Sequence, residues 1–466
     1  MGADEIYENL KFIEKFDFIH IHDKSQYLVK QPHYHPSTKQ YKEFKIKEYE
    51  HCIYGKWAKQ GNGFRWIPPM TYLYCNYVKI EMENDNKETV LQLASLDDVE
   101  WYIGYAFAAC YGFSGFEFEE ELSCDKALID QYEMILAKKH NERYKSLLKP
   151  NGEFKKYVTV EDYLYNTHNV SKGKPLWFNE AEDLMIFGSR SSGKTFSIIG
   201  LCCWLLLIDG TKSISKDWIN QKISANIIAG AAGDLPLQEI NRRIEVALNC
   251  LLNDEDLGVY KAPGIEPIPL IGRHFLGQTN NFFRYRYIVN GRESGGTGSS
   301  YRPVSYAANK KGATTSAAST RVALSIVDEC GRMPVSIKSI HGSNSALCRR
   351  NTKFGVQLMA GTSSSDLDLV QEAKEMFTNP KSFNMHSFIN RYTKEAVCET
   401  GLYLPAILVQ RAFKDENGNT QVSEVLKYFA NRRAKCETPD ALREEQLNYP
   451  ILLEEMWYSR KDRKST

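Results

Sequence analysis

Residues 183–209 read DLMIFGSRSSGKTFSIIGLCCWLLLID. Leu184–Phe187 is a short apolar run suited to a buried strand, and the residues after Thr195 predict an apolar helix ending near Gly210. Between them, Gly188-Ser189-Arg190-Ser191-Ser192-Gly193-Lys194-Thr195 fits the pattern G-x4-G-K-[ST] in the strand-to-helix setting where that pattern cradles phosphate. Gly188 and Gly193 permit backbone angles that a side chain forbids, so successive N–H groups can turn inward around an anion. The helix start adds its own unpaired N–H groups and the positive end of its dipole. Lys194 is expected to reach the β- and γ-phosphates of a nucleotide as a point charge, and the Thr195 hydroxyl to complete the shell of a Mg²⁺ ion.

Downstream, Ser224–Ala231 predicts a second buried strand and Asp234–Asn253 a helix. Phe282–Val289 alternates and ends on Asn290-Gly291, a hairpin signal, and Ser294–Ser300 reads as an exposed glycine loop. Val322–Glu329 (VALSIVDE) is an apolar run closing on two acids. Open α/β sheets carry functional acids at the carboxyl ends of buried parallel strands. Asp328 is therefore expected to hold Mg²⁺ through water, and Glu329 to orient or deprotonate the water that attacks a γ-phosphate. Phe354–Gly361 predicts another strand, opening into Thr362-Ser363-Ser364-Ser365. Those hydroxyls suit contact with a γ-phosphate and equally suit capping a helix over 366–377. Strands alternating with helices predict an α/β fold with a doubly wound, mostly parallel sheet.

The 466 residues suffice for two or three domains, and 42% hydrophobic with 25% charged residues is an ordinary globular composition. A net charge of +1 excludes a wholesale polyanion coating and leaves a local basic face open. Eleven cysteines without a C-x-x-C pair point to reduced thiols in a cytosolic compartment. Ile198–Ile208 is about half the length of a bilayer span, so no membrane segment is expected. The acidic N-terminus lacks the order of a signal peptide.

Three regions are expected: an accessory region over 1–165, the core over 166–385, and a C-terminal subdomain over 386–466. In the first, Trp66–Glu81 (WIPPMTYLYCNYVKIE) reads as a proline turn followed by an alternating aromatic strand, and Gln131–Leu148 as a basic amphipathic surface helix. His20, His22, His33 and His35 alternate as metal ligands on a strand can, but no acid or cysteine grouping accompanies them, and they read as exposed. In the last region, Phe413–Val422 resembles a hairpin, Arg432, Arg433 and Lys435 read as basic residues, and the ending RKDRKST reads as the start of a linker.

The loop GSRSSGKT, the strand SIVDE (325–329) and the segment MAGTSSS (359–365) together resemble the ATPase domain of the large terminase subunit of tailed bacteriophages, and the stretch NYPILLEEMW (448–457) resembles one found near the junction with their nuclease. The upstream stretch 66–81 is similar to the region some members carry ahead of that core. The resemblance implies a P-loop NTPase of the additional-strand, catalytic-glutamate type. It implies a motor that hydrolyses ATP with Mg²⁺ and drives double-stranded DNA through a portal protein into a procapsid, in concert with a small terminase subunit. Such chains form rings when assembled and can be monomers in isolation, working in the host cytoplasm. By position, Lys194 and Thr195 carry over as the loop pair, Arg190 as a phosphate contact, Asp328 as the metal residue, Glu329 as the catalytic glutamate, and Thr362, Ser363 and Ser364 as the coupling motif. Arg273, Arg302 and Arg321 all remain candidates for an arginine acting on a neighbouring subunit. Too few residues follow the coupling motif for the nuclease that usually ends these chains, so no DNA cleavage is expected.

Two other classes share parts of the pattern. Asp328-Glu329-Cys330-Gly331 fits the D-x-x-G element of GTPase switches, yet Asn309-Lys310-Lys311-Gly312 lacks the acid that would read guanine. A helicase-like or other nucleic-acid ATPase, and a non-catalytic DNA-binding module, complete the alternatives.

Overall fold

In a computed structural model, residues 2–16, 18–30, 35, 37–83, 88–118, 156–160, 172–177, 180–190, 192–207, 226–253, 266–267, 274–275, 281–284, 287–289, 292–294, 299–306, 321–349, 353–363 and 367–457 are described. Six strands form the centre: β1 (Leu184–Gly188), β2 (Asn226–Ala231), β3 (Ser300–Ser305), β4 (Leu324–Val327), β5 (Val356–Gly361) and β6 (Leu402–Leu404). They lie in the order β3-β2-β4-β5-β1-β6, and every neighbouring pair is parallel. Two short antiparallel strands, Asn281–Arg284 and His274–Phe275, extend the sheet beyond β3.

The sequence of β1 explains why it sits inside. Every residue of LMIFG is buried, with Leu184 and Ile186 in one core and Met185 and Phe187 in the other. Strands apolar on both sides need a layer on each face. On the first face pack α1 (Pro69–Tyr77), α2 (Asp98–Cys110), α3 (Lys194–Leu207) and α4 (Asp234–Asn253), and on the second α5 (Ile337–Ser345) and α6 (Leu367–Thr378). The sheet is doubly wound, as the strand–helix alternation predicts. β5 stands between β1, which leads into the phosphate-loop sequence, and β4, which ends on the two acids. This is the additional-strand arrangement of the P-loop fold.

One element departs from its reading. Trp66–Glu81 is not a strand after its prolines: Gly63–Ile67 and Lys79–Glu83 are strands, and between them Pro69–Tyr77 is helical. Pro69 sits in the first turn, where its missing N–H costs nothing, and all nine residues are buried. A helix buried all round shows no polar face, so its period is illegible in the sequence. Asn290 and Gly291 lie outside the described residues, and on either side of them Tyr287–Val289 pairs antiparallel with Arg292–Ser294. That at Phe413–Val422 shrinks to a single bridge, Lys414 to Thr420. Gln131–Leu148 and His33 lie outside the described residues. His20 and His22 are exposed, with rings edge to face at 4.5 Å, and no group of three or more ligand-type side chains that could hold a metal occurs among the described residues.

One hydrophobic core joins the three regions, running from Ile6 through the sheet to Ile451. The backbone N–H of Ile21 donates to Asn419 Oδ1 at 2.6 Å and its carbonyl accepts from Asn419 Nδ2 at 2.8 Å. No helix among the described residues is long and apolar enough to cross a membrane.

Candidate active site

Because neighbours are parallel and in register, Phe187 opposite Gly361 and Val327 opposite Met359, the carboxyl ends of β1, β5 and β4 open together. The loop after β1 is pinned from outside. A Cβ at Gly188 would stand 2.3 Å from the Leu404 carbonyl oxygen, Ser189 N donates to that carbonyl at 3.1 Å, and Arg190 N donates to the Asn448 carbonyl at 3.1 Å. Gly193 closes the loop with φ +75°, a left-handed conformation that favours glycine. Ser189 and Ser192 are buried, Thr195 is half-buried at the helix start, and Arg190 is exposed. Ser191 lies outside the described residues.

Lys194 is buried, and its ammonium donates to Ser189 O at 2.9 Å and Ser192 Oγ at 2.6 Å. Burial pushes its pKa down to about 8, against the pull of Glu329 and Asp328. Both of these hydrogen bonds go to the loop's own groups.

At the end of β4, Asp328 N donates to Gly230 O at 2.9 Å, fixing the turn to β2. Burial, then the neighbouring Glu329, push the Asp328 carboxyl up to about 6, with Lys194 and Arg243 acting the other way. Glu329 adopts φ 52°, ψ 40°, a left-handed conformation that costs a non-glycine residue about 1–2 kcal/mol. Tight packing of the turn on β5 accompanies it: a Cβ at Gly331 would fall 2.3 Å from Thr362 O, and one at Gly361 would fall 2.9 Å from Cys330 Sγ. In that pose Glu329 Oε2 accepts from Thr362 Oγ1 at 3.2 Å. The structure thus brings Lys194, Asp328, Glu329 and Thr362 together at the carboxyl ends of the central strands.

Ser363 points elsewhere. Its hydroxyl donates to the carbonyl of Met456, and Trp457 beside it packs at 5.4 Å from Phe187 and 6.0 Å from Phe377. Ser364 lies outside the described residues. The segment 448–457 is anchored by Glu455, which takes both Nη groups of Arg433 at 2.8 Å and the N–H groups of Ile451 (2.7 Å) and Leu452 (3.2 Å). Arg433 is therefore an internal tie and not a basic surface. Arg432 likewise pairs with Glu445 at 2.6 Å and stacks 4.2 Å over Tyr449. Of the three arginine candidates, Arg321 donates to Ala346 O ahead of β4, away from the acids, Arg302 lies within β3, and Arg273 is outside the described residues.

Two neighbours of the site were not legible in the sequence. Arg243 of α4 lies 4.8 Å over the Phe196 ring, next to Thr195, and donates to Glu239 at 2.8 Å. Glu100 of α2 is buried and accepts from Ser197 Oγ in the first turns of α3 at 2.7 Å. Neither sits in a motif; only the tertiary packing of α2 and α4 brings them here.

The donor set fits Mg²⁺: a half-buried hydroxyl at the helix start and a half-buried acid whose charged form burial disfavours are oxygen ligands of the type that ion takes. No family model and no curated protein matches this chain. Solved structures do. The chain is similar to phage large terminases. The ATPase domain of the Thermus phage P74-26 large terminase is 12% identical over 57% of this chain and 87% of that one, with a TM-score of 0.34. The HK97 bacteriophage large terminase is 14% identical over 58% of this chain and 46% of that one, with a TM-score of 0.31. At such values the P-loop assignment stands on this chain's own strand order and loop.

Proposed function

We propose that this chain is the ATP-hydrolysing motor subunit of a viral genome-packaging terminase, translocating double-stranded DNA into a procapsid. The observation that carries the hydrolytic part is the convergence of Lys194, Asp328 and Glu329, with Thr362 bonded to Glu329 across the ends of β4 and β5. Backbone N–H groups at the helix end of the loop, from Ser192 to Thr195, cradle the phosphates, while those of Ser189 and Arg190 tie the loop to Leu404 and Asn448 and the Arg190 side chain stands on the exposed side. Lys194 exchanges Ser189 O and Ser192 Oγ for β- and γ-phosphate oxygens. Thr195 and Asp328 would hold Mg²⁺, which would supply charge neutralisation for a bound triphosphate. Glu329 orients the attacking water and accepts its proton.

Thr362, Ser363 and Ser364 form the coupling segment. Thr362 reads Glu329 on one side and Ser363 reaches the 448–457 segment on the other. In this reading residues 166–385 are the motor core, 1–165 an accessory region packed on it, and 386–466 a C-terminal subdomain. Its partners are DNA, the portal and procapsid, the small terminase subunit and further copies of itself in a ring, in the host cytoplasm.

The deciding experiment is steady-state hydrolysis of ATP and GTP with Mg²⁺ at several protein concentrations. ATP-selective turnover that rises with concentration is expected. A preference for GTP of tenfold or more would replace the motor with a switch, and unwinding of a tailed duplex would replace it with a helicase.

A further inference from the structure

The first turns of the phosphate-loop helix are held by a carboxyl group from the N-terminal layer. Glu100 Oε2 accepts the Ser197 hydroxyl at 2.7 Å, and Ser197 Oγ also reaches back to Gly193 O at 3.3 Å. Among the described residues, the neighbour that a Cβ at Gly193 would meet within 4 Å is Glu100 Oε1, at 3.4 Å. An acid therefore lies against the glycine that closes a loop shaped for anions. Were it charged, it would repel the phosphates the loop is built to receive.

Its surroundings disfavour that charge. Asp97, the N-cap of α2, accepts from Glu100 N at 2.8 Å, and Asp98 is buried beside it. Facing them across the packing are Lys414, which pairs with Asp98 and bonds Thr420 Oγ1 at 2.8 Å, and Arg411, whose Nη1 reaches Met82 Sδ at 3.0 Å. From α1 come Tyr74 and Cys75, both buried. Lys414 is thus committed to Asp98. Burial and Asp97 push the Glu100 pKa up to about 8, against Ser197, Arg411 and Lys414.

We propose that Glu100 is a positioning residue for nucleotide: as a neutral carboxyl group it steadies the phosphate-loop helix through Ser197, and its ionisation opposes phosphate at Gly193. The proposal rests on the nucleotide reading of the loop. Phosphates arriving nearby favour the protonated carboxyl further, so binding is coupled to proton uptake and affinity falls as pH rises through that range.

The test is the affinity of the whole chain for ATP and ADP without Mg²⁺, at pH 6.5, 7.5 and 9, for wild type, Glu100→Gln, Glu100→Ala and Ser197→Ala. Glu100→Gln is expected to match wild type within about twofold at pH 6.5 and to bind roughly tenfold more tightly than wild type at pH 9, the scale of one linked proton. Lys194 titrates in both proteins, so its contribution cancels in that ratio. Ser197→Ala is expected to weaken binding while keeping the wild-type pH slope, and Glu100→Ala to weaken it at pH 6.5 and flatten the slope. A wild-type to Gln ratio that stays constant across pH would overturn the role given to Glu100 and leave the loop assignment standing. Failure of wild type to bind either nucleotide at any pH would overturn both.

Discussion

Both ends of β1 carry buried charge, and they handle it in opposite ways. At the amino end, Asp183 is fully buried and surrounded by fixed partners: Gln357 N at 2.8 Å, Lys353 Nζ as an ion pair at 2.6 Å, and His341 Nε2 at 2.9 Å. Those partners come from the entry to β5, from β5 itself and from α5, so the charge ties three elements together. At the carboxyl end, Lys194 spends its hydrogen bonds on its own loop, while Asp328 and Glu329 share one turn. Burial there moves Lys194 down to about 8 and Asp328 up to about 6. Buried charge matched by protein is architecture. Buried charge whose ionised form is disfavoured is what the proposed nucleotide site calls for.

The largest effect that would break this comparison is on stability. Asp183→Ala leaves Lys353 buried without its partner and is expected to cost about 3–5 kcal/mol in urea denaturation, while the folded fraction binds ATP within about twofold of wild type. Wild-type stability in that variant would remove the distinction between the two ends. Next in size, Glu329→Gln is expected to lower turnover by roughly 10²-fold or more, the scale of a lost general base, with nucleotide affinity kept within about threefold. A variant that hydrolyses ATP at more than about a tenth of the wild-type rate would take the catalytic role from Glu329.

The same contrast explains what could be read from the residues alone. β1, its loop and α3 were legible because their chemistry is local: glycines at fixed spacing, a lysine, a hydroxyl, and apolar runs on either side. The acids after β4 were legible for the same reason, and the doubly wound sheet followed from alternation of elements. α1 was not, since burial on all sides erased its period. Glu100, Arg243 and the Arg433–Glu455 tie were not either. Whether a charged residue is solvated, paired or set beside an anion loop depends on which segments the fold packs together, not on their local sequence.

A smaller effect sharpens the comparison by its sign. The folded chain holds the Lys194 proton less tightly, with a pKa of about 8 against 10.5 for the free side chain, so the unfolded state binds more protons between those values and stability rises with pH across that window. Below about pH 8 the burial penalty is fully present. Lys194→Met removes it and is expected to gain about 1 kcal/mol at pH 7, the lost bonds to Ser189 and Ser192 offsetting the rest, and to lose that advantage by about pH 10. Turnover should vanish at both. A variant less stable than wild type at pH 7 would mean that Lys194 is matched as Asp183 is.

The smallest expected effect on chemistry is at Thr362, and it bears on what the carboxyl end is for beyond hydrolysis. Its hydroxyl donates to Glu329 at 3.2 Å, a hydrogen bond to an acid that the backbone already holds in its left-handed pose. One such bond contributes about 1–2 kcal/mol, and the turn packed on Gly331 and Gly361 preserves most of the geometry without it. Thr362→Ala is therefore expected to slow ATP hydrolysis by less than about tenfold. If the chain is the proposed packaging motor, movement of DNA is expected to stop, because the variant severs the link from Glu329 through Thr362 to Ser363, Met456 and the 448–457 segment. Measured side by side, ATPase and packaging rates separate the roles: an equal loss in both makes Thr362 an orienter of Glu329 and nothing more, and normal packaging removes it from the coupling segment.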